Sequence, residues 1–214
     1  MKKKTLIIFA CCNRKKSGGA ESLHWRRSDS VISRLPLEVG KRLLESRFKL
    51  SQRFTYQNGK DLGGDQDVSK SLMRAFERYD GNLYRRIEST YWQQLANVDH
   101  VEILIVSALY GLLTPFEPIR NYNLMMGTSI APRFRLSRWW VDQGLDALLK
   151  EYIIHNQISE VYNFLSCSYS VIAGPLYLLC PTVKTHHKGY AGLGSGSDHH
   201  RGKDINNLLK CLLR

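Results

Sequence analysis

No stretch of this 214-residue sequence holds the ~20 consecutive apolar residues that a bilayer-spanning helix requires. A secretion signal is also missing in its expected form. Met1-Lys2-Lys3-Lys4 carries the charge of one, yet the apolar run behind it covers only Leu6 to Cys12. That run ends in Asn13-Arg14-Lys15-Lys16, where a cleavage site would need small residues. The cysteines lack the pairing that zinc and cluster sites use: Cys11, Cys12, Cys167, Cys180 and Cys211 are odd in number and contain no CxxC. These absences argue against a membrane partner and against a disulfide-stapled scaffold, and they predict a soluble protein of the reducing cytoplasm. Internal repeats and coiled-coil heptads are lacking as well.

Acidic side chains are the other shortage. Nineteen Asp and Glu stand against thirty-one Lys and Arg, a formal charge of +12 at pH 7. Phosphate is the polyanion that such a surplus fits, because neutralising it releases condensed counterions. A nucleic-acid partner, DNA in particular, is therefore expected. Hydrophobic content of 43% with 23% charged residues is ordinary for a globular chain. The length suits one α/β domain over residues 1–214, with about 20–65 forming a variable helical and loop insertion, and a monomer is favoured.

Three apolar runs read as buried strands: Leu6 to Ala10, Val101 to Val106, and Glu160 to Leu165. Between them, helical spacing appears over Pro36 to Phe54, Val68 to Tyr79, Gly81 to Ala96 and Arg133 to Tyr152. A closing amphipathic helix runs from Arg201 to Leu213. The Pro36 to Phe54 helix is expected to bury Leu37, Val39, Leu43, Leu44 and Phe48 and to present Lys41, Arg42, Glu45 and Arg47 outward. Tyr91 and Trp92 read as core, and Trp139 or Trp140 must also cover it. Gln57 to Lys60 and Gly63 to Asp65 mark a loop. Leu176 to Leu179 and Thr182 to Thr185 read as a strand pair or one broken strand, with Pro175 and Pro181 leaving the choice open. Strands alternating with helices predict a mostly parallel central sheet flanked by helices.

The segment Val106-Ser107-Ala108-Leu109-Tyr110-Gly111-Leu112-Leu113-Thr114-Pro115 follows the central strand and turns where α/β sheets place their ligands. Its Leu-Tyr-Gly-Leu-Leu-x-Pro element, with the Tyr-x-Leu-x-Met-Gly element of Tyr122 to Gly127, resembles the YaaA family, bacterial DNA-binding proteins first tied to peroxide stress. Tyr79-Asp80-Gly81-Asn82-Leu83-Tyr84, Asn163-x-x-Ser166-x-x-Tyr169 and Arg201-Gly202-Lys203 fit the same pattern in order. Met125 stands where the family has an acidic residue. The resemblance implies a YaaA-like or uracil-DNA glycosylase-like α/β fold, related to base-handling domains of deazaguanine enzymes. Anti-phage glycosylases that excise modified bases are implied relatives.

In a parallel sheet, three strand ends would converge: Asn13 with Lys15 and Lys16, Ser107 with Tyr110, and Asn163 with Ser166 and Tyr169. Aromatic rings, amides and hydroxyls beside cationic loops suit a base withdrawn from a DNA stack. Cys12, Ser107, Tyr110, Gly111, Tyr122, Asn163, Ser166 and Tyr169 are the expected base-binding residues. Cys11 and Cys12 also read as small buried residues. For hydrolysis of the glycosidic bond, Asn13 or Asn123 would place water and His186, His187 or Lys188 would stabilise the departing base. Asp80 and Asp65 are the nearest carboxylates, and Asp80 is preferred because it lies in the family-like element. Arg14, Lys15, Lys16, Arg135, Arg138, His187, Lys188, Arg201 and Lys203 are the expected nucleic-acid contacts.

No metal or cofactor is expected. His186-His187 and Asp198-His199-His200 carry ligand-type groups, but adjacent histidines on a strand face opposite ways and the second cluster reads as a loop. Gly189 to Gly196 lacks the strand context of a dinucleotide fingerprint and reads as a mobile loop over a substrate. Nothing around Cys167 matches an acyl-transfer elbow. The leading expectation is a DNA base-excision enzyme, with modified bases and phage defence as the setting that the resemblance implies. The alternatives are a non-catalytic DNA-binding stress protein and a deazaguanine-type base-exchange enzyme.

Overall fold

Leu6, Ile7, Ile8 and Phe9 are consecutive and apolar, so an extended segment here must bury both faces. All four are fully buried in β1 (Thr5–Ala10) of a computed structural model. It describes residues 3–20, 23–24, 26–53, 72–173, 176–190 and 192–214. The loop expected over 57–65, with Asp65, lies outside these residues, as does the side chain of Cys167.

β1 pairs in parallel with β3 (Val101–Ser107) on one side and with β8 (Glu160–Asn163) on the other. β4 (Gly111–Leu113) returns antiparallel to β3, and β9 (Lys184–His187) extends the sheet beside β8 in parallel. The order is β4-β3-β1-β8-β9, the mostly parallel sheet that the alternating strands and helices predict. β2 (Met73–Arg74) pairs with β5 (Pro118–Ile119), and β6 (Ser129–Ala131) with β7 (Phe134–Arg135), as small satellites.

Several helices differ from the sequence reading, each for a local reason. α1 (Leu37–Arg53) buries the stripe Val39, Leu43, Ser46, Arg47 and Leu50, while Leu37, Leu44 and Phe48 are exposed. Arg47 thus lies inside, against the expected basic outer face. Its Nε donates to the Tyr110 carbonyl at 2.8 Å, its Nη2 to the Leu112 carbonyl at 2.6 Å and its Nη1 to Glu117 Oε1 at 2.8 Å. Glu117 Oε2 accepts from the Val31 amide at 3.0 Å, which completes the compensation a buried charge pair needs.

Among the described residues of 68–79, only α2 (Ala75–Arg78) is helical, preceded by β2. The helix expected over 81–96 is a 3-10 turn at Tyr84–Arg86 and then α3 (Ser89–Leu95). They are separate because Glu88, the N-cap residue of α3, is extended, and its amide donates to Asn206 Oδ1 of the last helix at 2.9 Å, a partner from outside α3. The helix expected over 133–152 is two, α4 (Leu136–Asp142) and α5 (Leu145–His155). Gly144, at φ 75°, ends one and begins the other, a left-handed position that hydrophobic periodicity does not register.

α6 (Cys167–Ala173) opens after β8 as expected. Leu176–Leu179 is a helical turn, α7, not a strand, and only 184–187 of the following segment joins the sheet. α8 (Ser197–Leu212) starts before Arg201 and takes Asp198, His199 and His200 into its first turn, which corrects the loop placement. Trp139 and Trp140 are both buried, and Tyr91 and Trp92 pack in the core.

α8 can approach the 83–86 turn only because residue 202 is glycine. A Cβ there would lie 2.4 Å from the Leu83 carbonyl oxygen and 2.7 Å from Arg86 Cβ. Gly202→Ala is expected to destabilise the fold by about 1–3 kcal/mol in urea unfolding. Gly127→Ala, where nothing lies within 4 Å, should stay within ~0.5 kcal/mol. Glu117→Gln, which leaves Arg47 charged and buried without its counter-ion, should cost about 3–5 kcal/mol in the same assay.

Candidate functional site

Because β1, β3 and β8 run parallel, Asn13, Ser107 and Ser166 follow strand ends on one edge of the sheet. The edge is divided in two. On the β3 side the expected base-binding groups satisfy one another. The Ser107 hydroxyl, fully buried, accepts from the Tyr110 amide at 3.1 Å and from the Tyr79 hydroxyl at 3.4 Å. It also lies 2.9 Å from the Tyr122 hydroxyl, which is 2.8 Å from that of Tyr79. Burial pushes the phenols of Tyr79 and Tyr122 well above their ordinary range, so both stay neutral donors.

Tyr110 is buried as well, and its hydroxyl accepts from the Arg120 amide at 3.3 Å. Gly111 closes the β3–β4 turn at φ 71°. A Cβ there would meet the Trp140 ring at 2.9 Å, so the Tyr-Gly turn is roofed by an indole and is not open to a ligand. Trp140 is held in place by its Nε1, which donates to the Ala108 carbonyl at 2.9 Å.

Lys15 belongs to this buried group more than to the surface. Its Nζ lies 3.8 Å from the centroid of the Tyr122 ring, and it donates to the Cys12 carbonyl at 3.1 Å. Asn13, Arg14 and Lys16 on the same loop are exposed. The loop is tied to Arg78 and Asp80 by two amides: Lys16 donates to the Arg78 carbonyl at 2.8 Å and Asp80 to the Arg14 carbonyl at 3.0 Å.

Asp80, the expected carboxylate, is clamped. Arg85 grips it with two bonds of 3.0 and 2.6 Å, and Arg14 Nε approaches Oδ2 at 3.1 Å. The Arg85 bonds, with the Arg14 charge behind them, hold the carboxyl below its ordinary range. Two cations share one anion, which makes Asp80 a weak base and leaves the cluster positive.

On the β1–β8 side a narrow crevice of about 20 Å³ is lined by Cys12, Tyr84, Phe164, Ser166, Asp198 and Arg201, among others. Cys12 Sγ donates to the Arg14 carbonyl at 2.9 Å and accepts from the Gly81 amide at 3.2 Å. Burial, with Cys11 adjacent, pushes this thiol up to about 12. Cys11 Sγ is 3.2 Å from the Tyr169 hydroxyl, which joins the β1 and β8 loops. Cys11, Cys12, Cys180 and Cys211 are free thiols. Asn163 Oδ1 accepts from the Leu165 amide at 3.0 Å, so this side chain shapes the strand exit from within the core.

The other expected contacts scatter. Asn123 and His187 are exposed, and His187 sits beside Asn163 in the β8–β9 register. Arg135 and Lys203 are also exposed, while Arg138 pairs with Asp142 at 3.0 Å and Lys188 with Asp204 at 2.6 Å. His186 stacks on Tyr162, centroids 4.3 Å apart, and bonds Glu160 at 2.7 Å. Among the described residues, no three His, Cys, Asp or Glu side chains gather as a metal site would need. Gly189 to Gly196, read as a loop over a substrate, ends in a 3-10 turn at Gly194–Gly196 that leads straight into α8. None of the described helices is long and apolar enough to cross a membrane.

Sequence reasoning missed Tyr79, Cys11, Tyr84 and Arg85 as members of the site. Tyr79 and Tyr84 lay in the family-like element, but only the fold brings Tyr79 to Ser107 and the Tyr84 hydroxyl to the Ala10 carbonyl at 3.0 Å.

The sequence pattern of the family described as "Peroxide stress protein YaaA" matches residues 26–210. A UPF0246 protein of Francisella tularensis subsp. novicida is 31% identical over 143 residues, covering 66% of this chain and 56% of the relative. One of Rickettsia bellii is 26% identical over 141 residues, covering 63% and 56%. The chain spans a little over half the length of these relatives. With the match running through the ends of β3 and β8, the clamped Asp80 and the start of α8, the chain belongs to the YaaA peroxide stress protein family.

Proposed function

We propose that this chain is a DNA-binding protein of the YaaA type, acting in peroxide stress by occupying DNA and not by altering it. The observation that carries the reading is the charge of the carboxyl edge. Arg14 and Lys16 stand in solvent there with Arg85 and Arg86, while the nearby Asp80 is already shared by two guanidiniums. The +12 surplus of the whole chain supports the same partner. The free thiols fit a reducing compartment, and we place the protein in the cytoplasm, as a monomer.

Base excision, the leading expectation from sequence, is the weaker reading. It would need an open aromatic pocket and a carboxylate free to act as a base. Ser107, Tyr110 and Tyr122 are instead buried against one another, and Asp80 is ion-paired. Base exchange of the deazaguanine type meets the same obstacles. A peroxide-consuming thiol is disfavoured at Cys12, because a thiol with a pKa of about 12 is almost wholly protonated near neutrality.

Three outcomes are expected. Fluorescence anisotropy with duplex DNA should give a log K that falls linearly with log salt. Arg14→Ala with Lys16→Ala should reduce that slope by about two and weaken binding to all sequences alike. Incubation with DNA carrying uracil, hydroxymethylcytosine or glucosylated hydroxymethylcytosine should release no free base by mass spectrometry; release of any one would replace this reading with excision. After hydrogen peroxide treatment, peptide mapping should find exposed Cys211 oxidised before Cys12.

A further inference from the structure

The chain leaves β1 toward β3 on one side of the sheet and leaves β8 toward β9 on the other. The loops after β1 and β8 therefore diverge, and the crevice lined by Cys12, Tyr84, Phe164, Ser166, Asp198 and Arg201 lies where they part. In open α/β sheets this switch point is where ligands bind. We propose that the crevice is a binding site for a phosphate monoester, the terminal phosphate of a nucleotide, held by Arg201.

Arg201 is the feature that packing does not explain. It is 8% exposed. Its Nη1 donates to Ser197 Oγ at 2.9 Å and to Asp198 Oδ1 at 2.7 Å, and the guanidinium carbon lies 4.7 Å from the centroid of the Tyr190 ring. Its Nε is buried with no hydrogen-bond partner among the described residues. A buried guanidinium with an idle donor carries a desolvation cost that an incoming anion would relieve. The fold also brings this residue here deliberately close: Gly202, the next residue, is what lets α8 press against the Leu83 carbonyl.

The surroundings favour negative charge. The first turn of the 16-residue α8 continues the 3-10 turn at Gly194–Gly196, with the Ser197 amide already donating to the Gly194 carbonyl, so the attraction for an anion comes from side chains. Arg86 and Lys203 flank it, and His199 is held below its ordinary range by desolvation together with these two cations and His200. The one carboxylate at the crevice, Asp198, is 55% exposed and bonded to Arg201, so it occupies the place an anion would take and can swing into water. Phosphate supplies three acceptor oxygens, enough for Arg201 and the Ser166 hydroxyl together. The crevice itself holds about 20 Å³, little more than a water molecule, so the phosphate takes the space that the Asp198 carboxylate vacates, which favours a terminal group over a diester continuing in two directions.

This inference stands apart from the DNA-binding reading, because the monoester can come from a free nucleotide or from the end of a strand. Calorimetry on the full chain should detect dTMP and inorganic phosphate but not thymidine. Arg201→Lys, which removes the planar fork, should weaken dTMP about tenfold. Asp198→Asn, which removes the competing carboxylate and keeps the helix, should tighten it several-fold. An oligonucleotide with a 5′-phosphate compared with its 5′-hydroxyl form identifies the source. Tighter binding of the phosphorylated strand assigns the site to strand ends, and equal binding alongside a dTMP response assigns it to free nucleotides. Affinity of the 5′-hydroxyl strand tests the DNA reading on its own. If dTMP and thymidine behave alike, or if Asp198→Asn leaves dTMP binding unchanged, the proposal is overturned, even where Arg201→Lys fails to fold.

Discussion

One hydroxyl, that of Ser107 at the end of β3, fixes the geometry of the carboxyl edge. It is fully buried and reaches the phenols of Tyr79 and Tyr122 and the amide of Tyr110, so it joins segments separated in sequence by as many as 43 residues. In a dry interior each of these contacts is strengthened by low polarity, and loss of one partner leaves the others unsatisfied. The Lys15 ammonium rests on the Tyr122 ring, so the β1 loop takes its course from the same cluster. From there the loop presents Arg14 and Lys16 to solvent and closes on Asp80 and Gly81. The exposed charges thus depend on a group that never meets water.

The scarce carboxylates are used inward. Glu117 neutralises Arg47 under the β3–β4 turn, and Glu102 meets Lys4 at 2.5 Å and the Tyr152 hydroxyl at the opposite end of β3. Glu160 lies between Lys184 and His186, and Asp80 between Arg14 and Arg85. With these acids committed to partners, the remaining Lys and Arg set the field outside. The surface charge is therefore set by which acids the fold has already engaged, as well as by composition.

The parallel sheet was legible because β1 and β3 are near-continuous apolar runs buried on both faces, while β8 alternates between buried and half-buried residues beside them. The strand-end site was legible in its location and not in its form. Residue types at Ser107, Tyr110 and Tyr122 suggested a pocket for an aromatic ligand, whereas tertiary packing turned those rings on one another. Arg47 reads as an outer-face residue by chemistry and as a core residue by spacing from Val39, Leu43 and Leu50; spacing prevailed, because Glu117, 70 residues away, neutralises it. The break at Gly144 and the anchoring of Glu88 by Asn206 depend on a backbone angle and a distant partner, neither of which has a periodic signature. Arg201 was read as a surface contact, and its burial follows from the glycine beside it.

The central position of β1 also governs how the chain can assemble. One of its neighbours, β3, begins roughly 90 residues after β1 ends, and the other, β8, roughly 150 residues after it. During synthesis at ~5–20 residues per second, the most apolar strand of the sheet leaves the ribosome many seconds before either partner exists. Its unpaired edges are open through that interval to pairing with other chains. The tyrosine and arginine contacts at its carboxyl end form only after that delay, so the charged loop beyond Ala10 acquires its final course late in folding.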